Sequence, residues 1–381
     1  MIKLNKEIQT YIQVNLHADL HSLLLKKSPF PDVTIQEIVQ QIKGRKVAEK
    51  KFPFLLKEGI VFSSNLNLEQ ASSEATAIYK SNLVQGKTFI DLTCGFGIDA
   101  YFLSKNFEET TLVEQNAELL EIVEHNWKFL DKKANFINDN LNDFLQKNTK
   151  KFDVLYLDPA RRDEKKNKVF LLEDLSPNLL EIQAQMMKIS DKILIKLSPL
   201  IDISYLISVL KNIAEIHIVA VKNEVKEILV LINSTNNSER IKMNCVNLES
   251  GEKEIQLYFD EIETAKSEFS EPLKYLYIPN NAILKAGIFN VISEKFGLKK
   301  LHPNTHLYTS NELIVDFSGR ILEVKTIDSK EIKKGVHFNI ISKNHPLKPD
   351  EIKKKYKILD GGNQYLIFTK SLLGNVILQS I

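Results

Sequence analysis

Four carboxylates, Asp91, Glu114, Asp139 and Asp158, each follow a short apolar run: Phe89-Ile90, Leu112-Val113, Phe136-Ile137 and Val154–Leu157. A carboxylate at the end of a strand can accept hydrogen bonds from ribose hydroxyls, an amino group or an adenine N–H. Between the first two acids runs Asp91-Leu-Thr-Cys-Gly-Phe-Gly-Ile-Asp99. Gly95 and Gly97 let the backbone approach a ligand closely, because no Cβ stands in the way. The helix that Ile98 and Asp99 open would present free N–H groups and a partial positive charge. The chemistry implied is the binding of a nucleoside-bearing small molecule.

The elements that must position these residues are legible from periodicity. From 88 to 232, apolar strand-like runs alternate with amphipathic helical ones, the pattern of a parallel sheet covered on both faces. Strands are expected at Phe89–Asp91, Thr110–Glu114, Asn135–Asn138, Phe152–Leu157 and Lys192–Leu197, with helices at Glu118–Leu130 and Asn178–Ile189. Two last strands, Ile216–Val221 and Ile228–Ile232, are joined too closely to be anything but antiparallel. Ligands bind at the carboxyl ends of such sheets, where all four acids fall.

Two ligands fit. Gly95, Gly97 and Ala100 spell Gly-x-Gly-x-x-Ala, and Glu114 lies 19 positions after Gly95, which suits a dinucleotide dehydrogenase. Against this, Asp91 would repel a pyrophosphate and attract the ammonium of a methionine-type tail. No Tyr-x-x-x-Lys pair follows Asp158, and the antiparallel end of the domain is unusual for dehydrogenases.

Bulk properties narrow the classes. The 381 residues allow two or three domains, and a net charge of +2 confines any nucleic-acid surface to local patches. Two distant cysteines, Cys94 and Cys245, exclude a disulfide framework and a cysteine-rich zinc site, and the eight histidines show no metal-ligand spacing. No signal peptide or membrane span is expected, so the reading is cytoplasmic with no membrane partner.

At these residues the sequence resembles the class I S-adenosylmethionine-dependent methyltransferases: Asp-Leu-Thr-Cys-Gly-Phe-Gly, then Glu114, Asp139 and Asp158-Pro-Ala-Arg. More narrowly, Glu69-Gln-Ala-Ser-Ser-Glu-Ala-Thr-Ala, His302-Pro-Asn-Thr-His-Leu-Tyr-Thr-Ser310 and Asp360-Gly-Gly-Asn-Gln-Tyr365 resemble a bacterial family with a ferredoxin-like insert and a C-terminal THUMP-like domain. The resemblance implies an α/β fold: a seven-stranded Rossmann-like sheet with an N-terminal helical region and small C-terminal α+β domains. The expected segments are 1–80 (helical region), 81–235 (cofactor-binding methyltransferase domain), 236–309 (linker and ferredoxin-like domain) and 310–381 (THUMP-like domain). S-adenosyl-L-methionine is the implied cofactor. Asp91, Thr93, Gly95 and Gly97 would hold its methionine part, Glu114 its ribose hydroxyls and Asp139 its adenine, with Asp99, Gln115 and Asn140 also expected to bind it. Thr76 and Lys80 would close the pocket from the N-terminal side.

Asp158, Pro159 and Arg161 fall at the methyl-acceptor side. The loop is similar to the Asp-Pro-Pro-aromatic loop that orients an exocyclic amine, but Ala160 and Arg161 depart from it, which leaves the acceptor atom open. Arg161 suits stacking on a base or binding a phosphate. The loop Lys196-Leu-Ser-Pro199 has no cysteine, which disfavours carbon methylation through a thiolate. The expected substrate is ribosomal or transfer RNA, held through basic stretches at Lys43–Lys51 and Lys348–Lys357. A protein or small-molecule methyltransferase, and an RNA-binding module that keeps the cofactor without catalysis, are the alternatives.

Overall fold

The computed structural model describes residues 1–161, 171–235 and 240–381. They form two units: Met1–Ala214 with Ile228–Asn237, and Glu215–Glu227 with Ser238–Ile381.

The first unit is built on strands β1 (Thr88–Asp91), β2 (Glu109–Glu114), β3 (Asn135–Asn138), β4 (Phe152–Leu157), the short β5 (Ala160–Arg161) and β6 (Leu175–Ser176), and β7 (Ser190–Leu197). β1 pairs in parallel with β2 on one side and β4 on the other, β3 extends the sheet beyond β2, and β7 extends it beyond β4. The direction of winding therefore reverses at β1, and the crevice between the carboxyl ends of β1 and β4 is where such a sheet binds ligands. Burial on both faces explains the apolar runs within β1, β4 and β7, Phe89-Ile90, Val154–Leu157 and Ile193–Ile195.

Strand β8 (Ile213–Val221) leads into β9 (Glu224–Asn233) through Lys222-Asn223, both with positive φ (49° and 67°), the geometry of a two-residue hairpin turn. β9 runs antiparallel to β7. Six of the seven expected strands thus belong to the first unit. The seventh, β8, falls largely in the second, where it pairs in parallel with β10 (Lys242–Leu248), and β10 pairs antiparallel with β11 (Ile255–Tyr258).

Ahead of β1 stand helices Lys6–Val14, Leu20–Leu24 and Ile35–Lys51, closed by a core of Ile8, Ile12, Leu23, Ile38 and Ile42. Thr34 and Glu37 form a capping box on the third. A second cluster joins Phe52, Leu55 and Phe62 to Phe96, Ile98 and Phe102, so the N-terminal helices pack directly beneath the glycine loop. The Lys43–Lys51 stretch is partly spent on this packing. Lys51 Nζ donates to the carbonyls of Leu68, Glu69 and Ala71 at 3.2, 2.7 and 2.6 Å, and Lys50 alone among the cations of the stretch is exposed.

The second unit carries one seven-stranded sheet, in the order β13-β14-β12-β15-β18-β17-β16. Its strands are β12 (Tyr275–Pro279), β13 (Lys299–His302), β14 (Thr305–Ser310), β15 (Gly319–Ile327), β16 (His337–Ser342), β17 (Leu359–Ser371) and β18 (Gly374–Ser380). β12 pairs with both β14 and β15. β16 and β17 are parallel and are joined by the lysine-rich helix Pro349–Tyr356, whose Ile352 packs with Phe338, Ile358 and Phe368. Leu313-Ile-Val315, strand-like in sequence, is a loop. The Tyr277 hydroxyl donates to the Glu312 carbonyl (2.6 Å) and accepts from the Ile314 N–H (2.9 Å), so those backbone groups are satisfied without a ladder. Among the described residues no helix is long and apolar enough to cross a membrane.

Candidate active site

β1 delivers Asp91 to the rim, and the chain turns through Thr93–Gly97 into the helix Ile98–Leu103. Both loop glycines have positive φ, 56° at Gly95 and 76° at Gly97. They differ in what surrounds them. A Cβ on Gly97 would stand 2.9 Å from Val123 Cγ1 and 3.3 Å from Trp127 Nε1, so this glycine lets the loop press on the helix Ala117–Phe129. A Cβ on Gly95 would meet only the Thr93 carbonyl, at 3.8 Å. Gly97→Ala is therefore expected to destabilise the fold by about 3 kcal/mol and Gly95→Ala by about 1–2 kcal/mol, readable in urea unfolding. Equal losses would mean that the packing on Val123 is not decisive.

Three of the four strand-end acids, Asp91, Glu114 and Asp139, accept hydrogen bonds from backbone N–H groups. Asp91 is 1% exposed, and Oδ1 accepts from the Thr93 N–H at 2.8 Å. Burial, reinforced by the charges of Asp99, Asp158 and Glu114, pushes its carboxyl well above the usual range despite that hydrogen bond. Glu114 accepts from Gly95 N–H on Oε2 and from Asn116 N–H on Oε1, both at 2.9 Å, which ties β2 to the glycine loop. Asp139 accepts from Asn140 N–H (2.9 Å) and has Lys147 at 3.5 Å. The Asp158 N–H donates to Thr93 Oγ1 (2.7 Å), itself 3.4 Å from Asp91 Oδ1. Asn116 and Asn140 cap the helices that follow their acids, so one short motif ends a strand with a carboxylate and starts the next helix.

Asp99 is different in kind. It is buried and accepts from Ser72 Oγ and Tyr156 OH, both at 2.7 Å, with the Lys80 ammonium at 3.2 Å and Lys196 at 3.9 Å. Burial alone would raise its pKa, but the two lysines and two hydroxyls outweigh that and hold it below the ordinary value. Lys80 is fully buried and also donates to Ser72 Oγ (3.2 Å). The Thr76 hydroxyl donates to the Ser73 carbonyl at 3.1 Å, in the first turn of the helix Glu74–Ser81.

These elements enclose a cavity of about 440 Å³. Asp91, Thr93, Gly95, Gly97 and Asp99 line it, as do Glu114, Gln115, Asp139, Asn140 and Asp158. Thr76, Lys80 and Pro159 do not: Thr76 serves its helix, Lys80 acts through Asp99, and Pro159 is buried behind the wall. The side chain of Arg161 lies outside the described residues. Other wall residues escaped the sequence reading. Asn67, Gln70 and Ser72 come from the segment ahead of β1, Tyr156 from β4, and Asn178 and Glu181 from the start of the helix Leu179–Ile189. Periodicity cannot rank such residues; the usable signal was the Glu69–Ala77 motif, which holds Gln70 and Ser72. Cys94 is buried, and burial pushes its thiol well up, which suits a packing residue rather than a nucleophile.

Residues 72–191 match the family model described as conserved hypothetical protein 95, residues 275–317 a ferredoxin-like domain, and residues 320–378 a THUMP-like domain. A crystal structure from Porphyromonas gingivalis W83, described as a candidate methyltransferase, is 28% identical; the match covers 100% of this chain and 98% of that one, with a TM-score of 0.87. An uncharacterized RNA methyltransferase of Mycoplasma mobile is 26% identical over 190 residues, 45% of this chain and 52% of that protein, so the match spans about half of that relative. A Streptococcus mutans structure in complex with S-adenosylhomocysteine is 13% identical over 42% of this chain and 96% of that one, with a TM-score of 0.31. The fold is that of the class I methyltransferases. In chain order, the matched segments are the conserved hypothetical protein 95 segment, a ferredoxin-like domain and a THUMP-like domain.

Proposed function

We propose that this protein transfers a methyl group from S-adenosyl-L-methionine to a base of ribosomal or transfer RNA. The observation that carries the reading is the convergence of Asp91, Glu114, Asp139 and Asp158, from four parallel strands, on one cavity behind a glycine loop. Asp91 has the charge and burial to hold the cofactor's ammonium, near the backbone of the Thr93–Gly97 loop. Glu114, fixed by two N–H groups, keeps lone pairs for the ribose hydroxyls, and Asp139 lies on the adenine side with Asn140. Asp158, on the neighbouring strand, faces the acceptor. Transfer then needs mainly proximity and alignment of the acceptor lone pair with the sulfonium methyl.

RNA is supported by the THUMP-like domain, by the relative described as an RNA methyltransferase, and by charge. Residues 328–360 carry nine lysines against five acids in a chain of net charge +2. Lys348, Lys354, Lys355 and Lys357 are exposed, while Lys353 is paired with Asp360 at 3.1 Å. Replacing Lys354, Lys355 and Lys357 together by Glu is expected to weaken RNA binding and flatten its salt dependence by about 2–3 units of log–log slope. An unchanged slope, read by filter binding across salt concentrations, would move the RNA surface elsewhere. The function itself is tested by calorimetry with S-adenosylhomocysteine, and by transfer of labelled methyl onto RNA from a strain lacking the gene. Labelling of protein extract but not RNA would favour the protein-methylating alternative.

A further inference from the structure

Lys196 is the penultimate residue of β7, beside β4, with the register Leu157↔Ile195 placing it next to Asp158. Its ammonium is 2.6 Å from Asp158 Oδ2 and 3.9 Å from Asp99 Oδ2. Asp158 lines the cavity with a side chain that is 35% exposed, and Lys196, 14% exposed, backs it from outside the lining. Through Asp99 the lysine joins a network that includes Tyr156 OH and Lys80 beneath the glycine loop. Asp158 Oδ1 accepts no hydrogen bond from any described residue. One carboxylate oxygen is therefore clamped by a cation, and the other is left for an incoming group.

We propose that Lys196 is the positioning residue of the methyl-acceptor side, fixing Asp158 so that Oδ1 meets a neutral hydrogen-bond donor and repelling any cationic acceptor. This rests on the reading of the cavity as the S-adenosylmethionine pocket. It deepens that reading by naming the acceptor class: an uncharged N–H or O–H, as nucleobases offer, and not the ammonium of a protein lysine. The physical reason is charge. A second cation brought within a few ångströms of Lys196 in a partly dry site loses most of what Asp158 could give it.

The test uses sinefungin, in which a primary ammonium replaces the methylsulfonium and so reports on the acceptor side without RNA. Affinities for sinefungin and S-adenosylhomocysteine are measured by calorimetry on the full chain. Lys196→Met is expected to raise the preference for sinefungin about tenfold while S-adenosylhomocysteine binds within about threefold of wild type, and Lys196→Arg to keep the wild-type ratio. If Lys196→Met unfolds, Lys196→Gln removes the same charge and reads the same ratio. An unchanged ratio in the uncharged variants, or an equal loss of both ligands, overturns the proposal. So does a wild-type protein that binds neither ligand. In parallel, Lys196→Met should lower the kcat for methyl transfer to RNA, and Lys196→Arg should recover it. Absence of transfer to RNA by the wild type counts against RNA as substrate, and the affinity ratio still decides the role of Lys196.

Discussion

Asp91→Asn is expected to abolish binding of S-adenosylhomocysteine, by at least about 100-fold, and at the same time to raise the melting temperature of the free protein. Both effects have one cause. Asp91 is 1% exposed, accepts from Thr93, and shares its surroundings with three other acids. Its pKa is raised in the folded protein, first by burial. The stability linked to this group is thus present at low pH, where it is protonated, and is lost as pH rises from the usual carboxylate range through the raised folded value. A bound ammonium reverses that penalty, because it gives the buried carboxylate a partner. The asparagine variant keeps the shape, never ionises, and has nothing to offer a cation. Thermal unfolding with and without S-adenosylhomocysteine across that pH range provides the check. In the wild type the ligand-induced rise in melting temperature should grow with pH as Asp91 ionises; in the variant it should be absent. A variant that binds normally, or a free protein whose stability the substitution lowers, would remove Asp91 from the cofactor's ammonium.

Asp158→Ala is expected to reduce methyl transfer about 1,000-fold while leaving S-adenosylhomocysteine affinity within about threefold. The split follows from how the loop is held. The Asp158 backbone N–H donates to Thr93 Oγ1, and that hydroxyl lies 3.4 Å from Asp91 Oδ1, so the acceptor and cofactor sides share one threonine. Truncating the side chain removes the carboxylate but leaves this backbone tie intact. Asp99 still faces Lys80, Ser72 and Tyr156. Measurement of kcat on RNA from a deletion strain, beside calorimetry, reads the two quantities separately. Full activity in the alanine variant would mean that orientation of the acceptor comes from other wall residues, such as Asn178 or Glu181.

Much of this site could be read in advance, for identifiable reasons. The acids end strands whose apolar runs are bounded by helix signals, and a parallel sheet places strand ends on one rim. Glu114 and Asp139 needed no more than that. The roles of Thr76 and Lys80 were less legible. Their spacing from the glycine strand is compatible with a pocket wall, but Lys80 is spent on Asp99 and Thr76 on Ser73. Gly97 was legible as a glycine and not as a packing site, since Val123 and Trp127 lie a helix away in sequence. Leu313–Val315 has the composition of a strand, and only the Tyr277 hydroxyl, 36 or more positions earlier, explains why it is a loop.

The order of elements, the reversal at β9, the glycine turn and the set of strand-end carboxylates were determined by the sequence alone, because they are encoded in local periodicity and in residues a few positions apart. The tertiary structure decided which charges meet. The placing of Lys196 against Asp158, of Lys80 beneath Asp99 and of Lys51 on three carbonyls comes from segments 17 or more residues apart in the chain. A lysine reads the same in sequence whether it ends in solvent, caps a helix or clamps a carboxylate, and only the packing of the strands and helices around it assigns its partner.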